Sequence, residues 1–155
     1  MNVHLSRWAC LAGVLISMAA KADVLDQSVS LKTEGDLIRA VSVTLQHAVA
    51  TSERYRGAEP RLQRFARKEI STRRKPIDQL NKWGSLQPKP VKQLAVVPED
   101  DASYLRAMLR NHAWLLELIE YGQGMKLSNS TKRLMESLSR DAAAEFSMLS
   151  KLEKS

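Results

Sequence analysis

Apolar residues recur at three- and four-residue spacings in four stretches of the chain, and each stretch reads as an amphipathic helix. The first runs from Glu34 to Tyr55 and carries Leu37, Ile38, Val41, Leu45, Ala48, Val49 and Ser52 on one face. The second runs from Pro60 to Trp83, with Leu62, Phe65, Ala66, Ile70, Ile77, Leu80 and Trp83 as its stripe. Pro60 suits a first-turn position, where its missing N–H would be unpaired anyway. Pro76 is expected to kink this helix, and Gly84 to stop it. The third helix follows Pro98-Glu99-Asp100-Asp101, whose acids favour a helix N-terminus. Leu105, Met108, Leu109, Leu115, Leu116 and Ile119 form its stripe, and Gly122 and Gly124 end it. The fourth begins near the cap candidates Ser128, Asn129 and Ser130 and continues through Leu134, Leu138, Ala142, Phe146, Leu149 and Leu152. Aromatic residues are few and runs of β-branched residues absent, so helices are expected rather than strands.

The connections differ in kind. Arg56 to Glu59 is short, and the link between the third and fourth helices is only a little longer, so both pairs are expected to be antiparallel hairpins. The remaining linker, residues 84–98, contains Pro88, Pro90 and Pro98. Extended at ~3.3 Å per residue it reaches about 45 Å. The second helix, at ~1.5 Å per residue, is about 36 Å long. The linker can therefore cross the molecule lengthwise. The expected fold is all-α, a four-helix bundle of two antiparallel hairpins joined by a long crossover, the ferritin-like arrangement. The two halves also show a weak internal match: His47 and His112 each precede a glycine, Gly57 and Gly122, by ten residues, with Tyr55 and Tyr121 just ahead of those glycines.

Residues 1–22 have the layout of an export signal. Arg7 lies in an acid-free n-region, an apolar stretch runs from Trp8 to Ala20, and Ala20-Lys21-Ala22 offers small residues for cleavage after Ala22. The apolar run is too short for a permanent membrane span. The expectation is a periplasmic or secreted protein in which residues 23–155 form a single bundle domain without a transmembrane segment. Cys10, the chain's one cysteine, lies in the leader, so residues 23–155 hold neither a disulfide nor a thiolate zinc site. Arg7 and Lys21 leave with the leader, which lowers the formal charge from +7 to +5, a modest basic balance.

Chemistry is expected where polar side chains interrupt the apolar faces. His112 falls in the middle of the third helix's stripe, between Met108, Leu109 and Leu116. Glu69 and Arg73 interrupt the second helix's stripe, Glu145 lies on the fourth's, and Asp141 at its edge. Each is near the middle of its helix, so in a bundle of equal-length helices they meet at one level. His47 points away from the first helix's apolar face. The expected arrangement is a buried polar core cluster of Glu69, Arg73, His112, Asp141 and Glu145, with no metal and no other cofactor. The alternative is a transition-metal or redox site with His112, Glu69 and Glu145 as ligands. Two features weigh against metal: Glu-x-x-His is absent from both hairpins, and Arg73 brings a fixed positive charge to the same carboxylates.

The same positions resemble an exported bacterial ferritin-like family of unknown function, whose members are often titled predicted outer membrane proteins. Its third helix carries an Asp-x-x-Tyr-x-x-x-Met-x-x-x-His run, which here is Asp101, Tyr104, Met108 and His112. Phe65-Ala66 after Glu59-Pro60, and Leu80, resemble its second helix. The resemblance spans Leu37 to Leu152 and implies an inward cluster at these positions. Where the family pattern has histidines in the second and fourth helices, this chain has Arg73 and Glu145. The resemblance thus implies that any metal site of the relatives is largely dismantled here. A second exported family, with paired histidines and copper associations, has a similar hairpin pattern, but the His-His pair is missing.

Arg61, Arg64, Arg67, Lys68, Arg74 and Lys75 form a basic surface on the second helix. It is expected to be solvated, with an anionic envelope surface as its candidate partner. No interleaved aromatics or base-reading motif accompany it, so nucleic acid is not expected. Trp114, Leu118 and Tyr121 are placed on the third helix's outer side, under linker residues Val91, Leu94, Val96 and Val97. No nucleophile–base pair or phosphate loop points to an enzyme. The expected function is a non-catalytic binding or envelope-stress accessory module.

Overall fold

The computed structural model of the chain describes residues 31–84 and 97–154. They form four helices, α1 (Glu34–Arg54), α2 (Pro60–Trp83), α3 (Asp101–Gln123) and α4 (Asn129–Glu153), with no strand among the described residues. The leader, its cleavage point and linker residues 85–96 lie outside them, as do the contacts expected of Val91, Leu94 and Val96.

Each helix starts where a side chain can accept the unpaired N–H groups of its first turn. Thr33 and Asp36 form a capping box on α1, with Thr33 N–H donating to Asp36 at 2.9 Å and Asp36 N–H to Thr33 Oγ1 at 3.1 Å. Asp100 and Ser103 do the same for α3. Glu59 accepts the Arg61 and Leu62 N–H groups ahead of α2, where Pro60 has none to offer. Ser128 caps α4 through Thr131 N–H. α2 continues as one helix through Pro76, although the proline cannot supply the N–H that would bond to Thr72 C=O.

α1 packs on α2 and α3, and α3 packs on α4, which makes a four-helix bundle. The ends are tied across hairpins. Tyr55, at the end of α1, donates its hydroxyl to Asp101 at the start of α3, and the Glu59 N–H donates to the same carboxylate at 3.2 Å. At the opposite end, Glu34 accepts the Ser128 hydroxyl at 2.7 Å, the Ser128 N–H and the Thr131 hydroxyl. α3 therefore starts beside the start of α2. The end of α2 lies at the other end of the bundle, where Ser42 donates to Asn81 at 2.6 Å. The end of α2 and the start of α3 therefore lie toward opposite ends of the bundle, a separation that the reach of the linker permits. Two glycines permit close approaches at these ends. A Cβ on Gly122 would lie 2.5 Å from Leu37 Cδ2, and one on Gly57 would overlap Asp101 and the Tyr55 ring.

The Glu34 tie has a pH signature. The Thr131 and Ser128 hydroxyls hold its carboxyl below the ordinary value of 4.5, and slight burial opposes them only in part. A depressed folded value gives stability that is fully present above the unfolded value and is lost as pH falls through the folded one. Urea midpoints measured on acidification should decline below about pH 4.5, and Glu34→Gln should make that decline shallower.

The interior holds two apolar clusters. One contains Leu37, Val41 and Leu45 with Leu80, Leu115 and Leu138; the other contains Ala48, Phe65, Tyr104, Met108 and Leu149. Leu118 belongs to the first cluster at 3% exposure, which corrects its placement on an outer face. α3 meets α1 on one side and α4 on the other, so its buried arc is wider than a single stripe. Trp114 is half-buried and Tyr121 is 59% exposed, its hydroxyl donating to Leu31 C=O. Val49, Ile70, Ile77, Leu116, Leu134, Phe146 and Leu152 are half-buried, and Trp83 is exposed. Tyr104 and Met135, not assigned to a stripe, are buried, Tyr104 fully so. Tyr104 stacks on Tyr55 with ring centroids 4.1 Å apart and shares a hydrogen bond with Ser52 at 2.8 Å. Among the described residues no helix is long and apolar enough to cross a membrane.

Candidate functional site

Between the two apolar clusters lies one charged layer. Glu69 and Arg73 are one turn apart on α2, after Phe65-Ala66 and before Leu80. His112 follows Leu109 on α3, and Glu145 lies between Ala142 and Leu149 on α4. All four are buried, at 1%, 2%, 0% and 5% exposure respectively. Helical spacing alone aims these side chains inward, since each occupies a core position of its own stripe.

Arg73 holds the layer together. Its Nε donates to Glu69 Oε1 at 3.0 Å, and its terminal amino group donates to Glu145 Oε2 across the bundle. His112 Nε2 lies 3.1 Å from the same Glu145 oxygen and 3.9 Å from Glu69 Oε2. Its Nδ1 lies 2.9 Å from Met108 C=O. A carbonyl only accepts, so Nδ1 carries the hydrogen of that bond. The Phe65 ring flanks the imidazole at 5.8 Å between centroids. Lys68 reaches in from the surface, its ammonium 3.1 Å from Glu145 Oε1 while its side chain stays 60% exposed.

Burial pushes the Glu145 carboxyl up, but the His112 hydrogen bond and the Arg73 charge, with help from Lys68, outweigh it and hold the group below the ordinary value. Glu145 is thus an ionised acceptor for three donors. Glu69 is less well supplied: its Oε2 is buried and has no hydrogen-bond partner. Glu69, His112 and Glu145 each offer a donor atom within 4.8 Å of the other two.

Of the five residues read from the sequence as a core polar cluster, four meet as expected. Asp141 does not; it is exposed. The buried face of α4 runs Met135, Leu138, Ala142, Glu145, Leu149, and Asp141 precedes Ala142 by about 100° of rotation, which turns it to solvent. Lys68 is the member that sequence reading missed, because its position falls on the polar face and only its length brings the ammonium to Glu145. Arg61, Arg64, Arg67, Arg74 and Lys75 are exposed as expected, with Arg61 paired to Glu59. His47 is half-buried on α1 and distant in sequence from the charged layer's other elements.

This division of α2 is testable. Arg64→Gln should change stability by no more than about 0.5 kcal/mol. Lys68→Gln should cost more, toward the ~1 kcal/mol upper end for a partly exposed pair, because it removes a charge from Glu145. Equal, negligible effects in urea unfolding would show that the Lys68 contact contributes nothing.

Comparisons of the chain with protein-family models, with curated proteins and with solved structures found no match.

Proposed function

We propose that this protein is an exported, non-catalytic helical-bundle module of the bacterial envelope, serving as a binding or envelope-stress accessory component. The observation that carries the reading is closure. Glu69, Arg73, His112 and Glu145 are enclosed between two apolar clusters at 0–5% exposure among the described residues. The surface depressions beside Gln123 and Met135, and beside Trp83 and Arg133, lie away from that layer. Arg73 ties two helices together there, which is an architectural task.

The leader-like residues 1–22 support export, and the placement of the end of α2 and the start of α3 toward opposite ends of the bundle supports the resemblance to the exported ferritin-like family. The exposed bases of α2 fit an anionic envelope surface as partner: Arg64, Arg67, Arg74 and Lys75 present their charge to solvent. Fractionation of expressing cells with N-terminal sequencing tests the location. The reading expects periplasmic protein beginning at Asp23; cytoplasmic protein that retains residues 8–20 would overturn it. Co-sedimentation with anionic vesicles tests the partner, and binding unaltered by changing Arg64, Arg67, Arg74 and Lys75 to Gln would exclude this surface.

A further inference from the structure

We propose that Glu69, His112 and Glu145 form a mononuclear site for a divalent first-row cation of the zinc and cobalt type. Three observations converge on it. The first is the imidazole. With its Nδ1–H donated to Met108 C=O, His112 turns Nε2 to the carboxylates; the hydrogen bond to Glu145 places a proton on that nitrogen, and a cation that displaces this proton would take up the Nε2 lone pair. Histidines that ligate metals show this arrangement, with the non-ligating N–H fixed on a backbone carbonyl. A lone pair 3.1 Å from a carboxylate oxygen is repelled unless a positive centre lies between them, a proton or a metal ion.

The second is Glu69. Arg73 is bonded to its Oε1, which leaves Oε2 buried, without a partner, and 3.9 Å from His112 Nε2. A buried anionic oxygen without a donor is costly, and a cation shared with Nε2 would satisfy it. The third is spacing. Two donors at ~2.0 Å from a tetrahedral ion lie about 3.3 Å apart. The distances of 3.1 and 3.9 Å from Nε2 to the two carboxylates bracket that value. One imidazole and two carboxylates suit a borderline ion. Calcium, which takes six to eight oxygens, finds too few here. With no Glu-x-x-His in either hairpin, the residues fit one ion and not a di-iron pair.

Arg73 does not block the site. Its bonds to Glu69 Oε1 and Glu145 Oε2 orient both carboxylates, as outer-shell donors do around metals. Its charge does oppose the ion, and so does that of Lys68. Lys68 is 60% exposed and can release Glu145 Oε1 to water when an ion arrives. It acts as a removable counter-charge. This inference goes beyond the envelope role and stands or falls without it.

The test is titration of the chelator-treated full chain with Co²⁺, read by visible absorption and by competition with Zn²⁺. The site predicts one saturable equivalent with the intense bands of a tetrahedral N/O ion, displaced by Zn²⁺. His112→Gln should weaken binding at least about tenfold, and Lys68→Gln, on the surface and compatible with folding, should tighten it several-fold. His47→Gln should change nothing. No saturable binding, a weak octahedral spectrum, or a Co²⁺ affinity that Lys68→Gln leaves unchanged would overturn the proposal.

Discussion

Arg73→Met should destabilise the bundle by about 3–5 kcal/mol, measured by urea unfolding. Methionine preserves much of the aliphatic stem, so packing changes little. What is lost is a fully buried cation bonded to both Glu69 and Glu145. Two carboxylates would then face each other in the interior, and Lys68, at 60% exposure, is too hydrated to replace the guanidinium. Against a typical total of about 5–15 kcal/mol, the loss is a large fraction of the fold's stability. A change below ~1 kcal/mol would mean that the carboxylates find other partners and that the layer is not held by Arg73.

The second large effect is expected at Leu118. Leu118→Ala should cost about 2–5 kcal/mol, the range for emptying an enclosed leucine site. The side chain is 3% exposed and packs with Leu37, Leu115, Ile119 and Met135. Its neighbour Glu117 is exposed, and Glu117→Ala should shift stability by no more than about 0.5 kcal/mol. Similar small losses for both would place Leu118 at the surface after all.

Leu118 also shows where sequence reading stops. Periodicity identifies one apolar stripe per helix, and it located all four helices; Gly84 and Gly124 cap the ends of α2 and α3 as read, whereas Gly122, also expected to end the third helix, lies inside α3. It does not say how many partners a helix has. α3 meets two, so Leu118 and Tyr104 are buried outside the stripe drawn from Leu105 to Ile119. The charged layer was legible for the opposite reason. Glu69, Arg73, His112 and Glu145 occupy mid-stripe positions, where rotation about the helix leaves little freedom. Asp141 was at an edge, and about one residue's rotation decided against it. Neither the reach of Lys68 to Glu145 nor the unpaired oxygen of Glu69 leaves a trace in residue order, because both depend on distances between helices.

The central claim is that Arg73 and Glu145 form one compensated unit holding α2 to α4. A double-mutant cycle measures it directly, with Arg73→Met, Glu145→Leu and the two combined, all by urea unfolding. Arg73→Met strands both Glu69 and Glu145, Glu145→Leu leaves Arg73 with Glu69 alone, and the double variant leaves only Glu69 to be accommodated. The account predicts that the double variant loses less than the sum of the singles by about 2 kcal/mol or more. Costs that add to within ~0.5 kcal/mol would contradict it, showing two independent side chains where the structure places one ion pair.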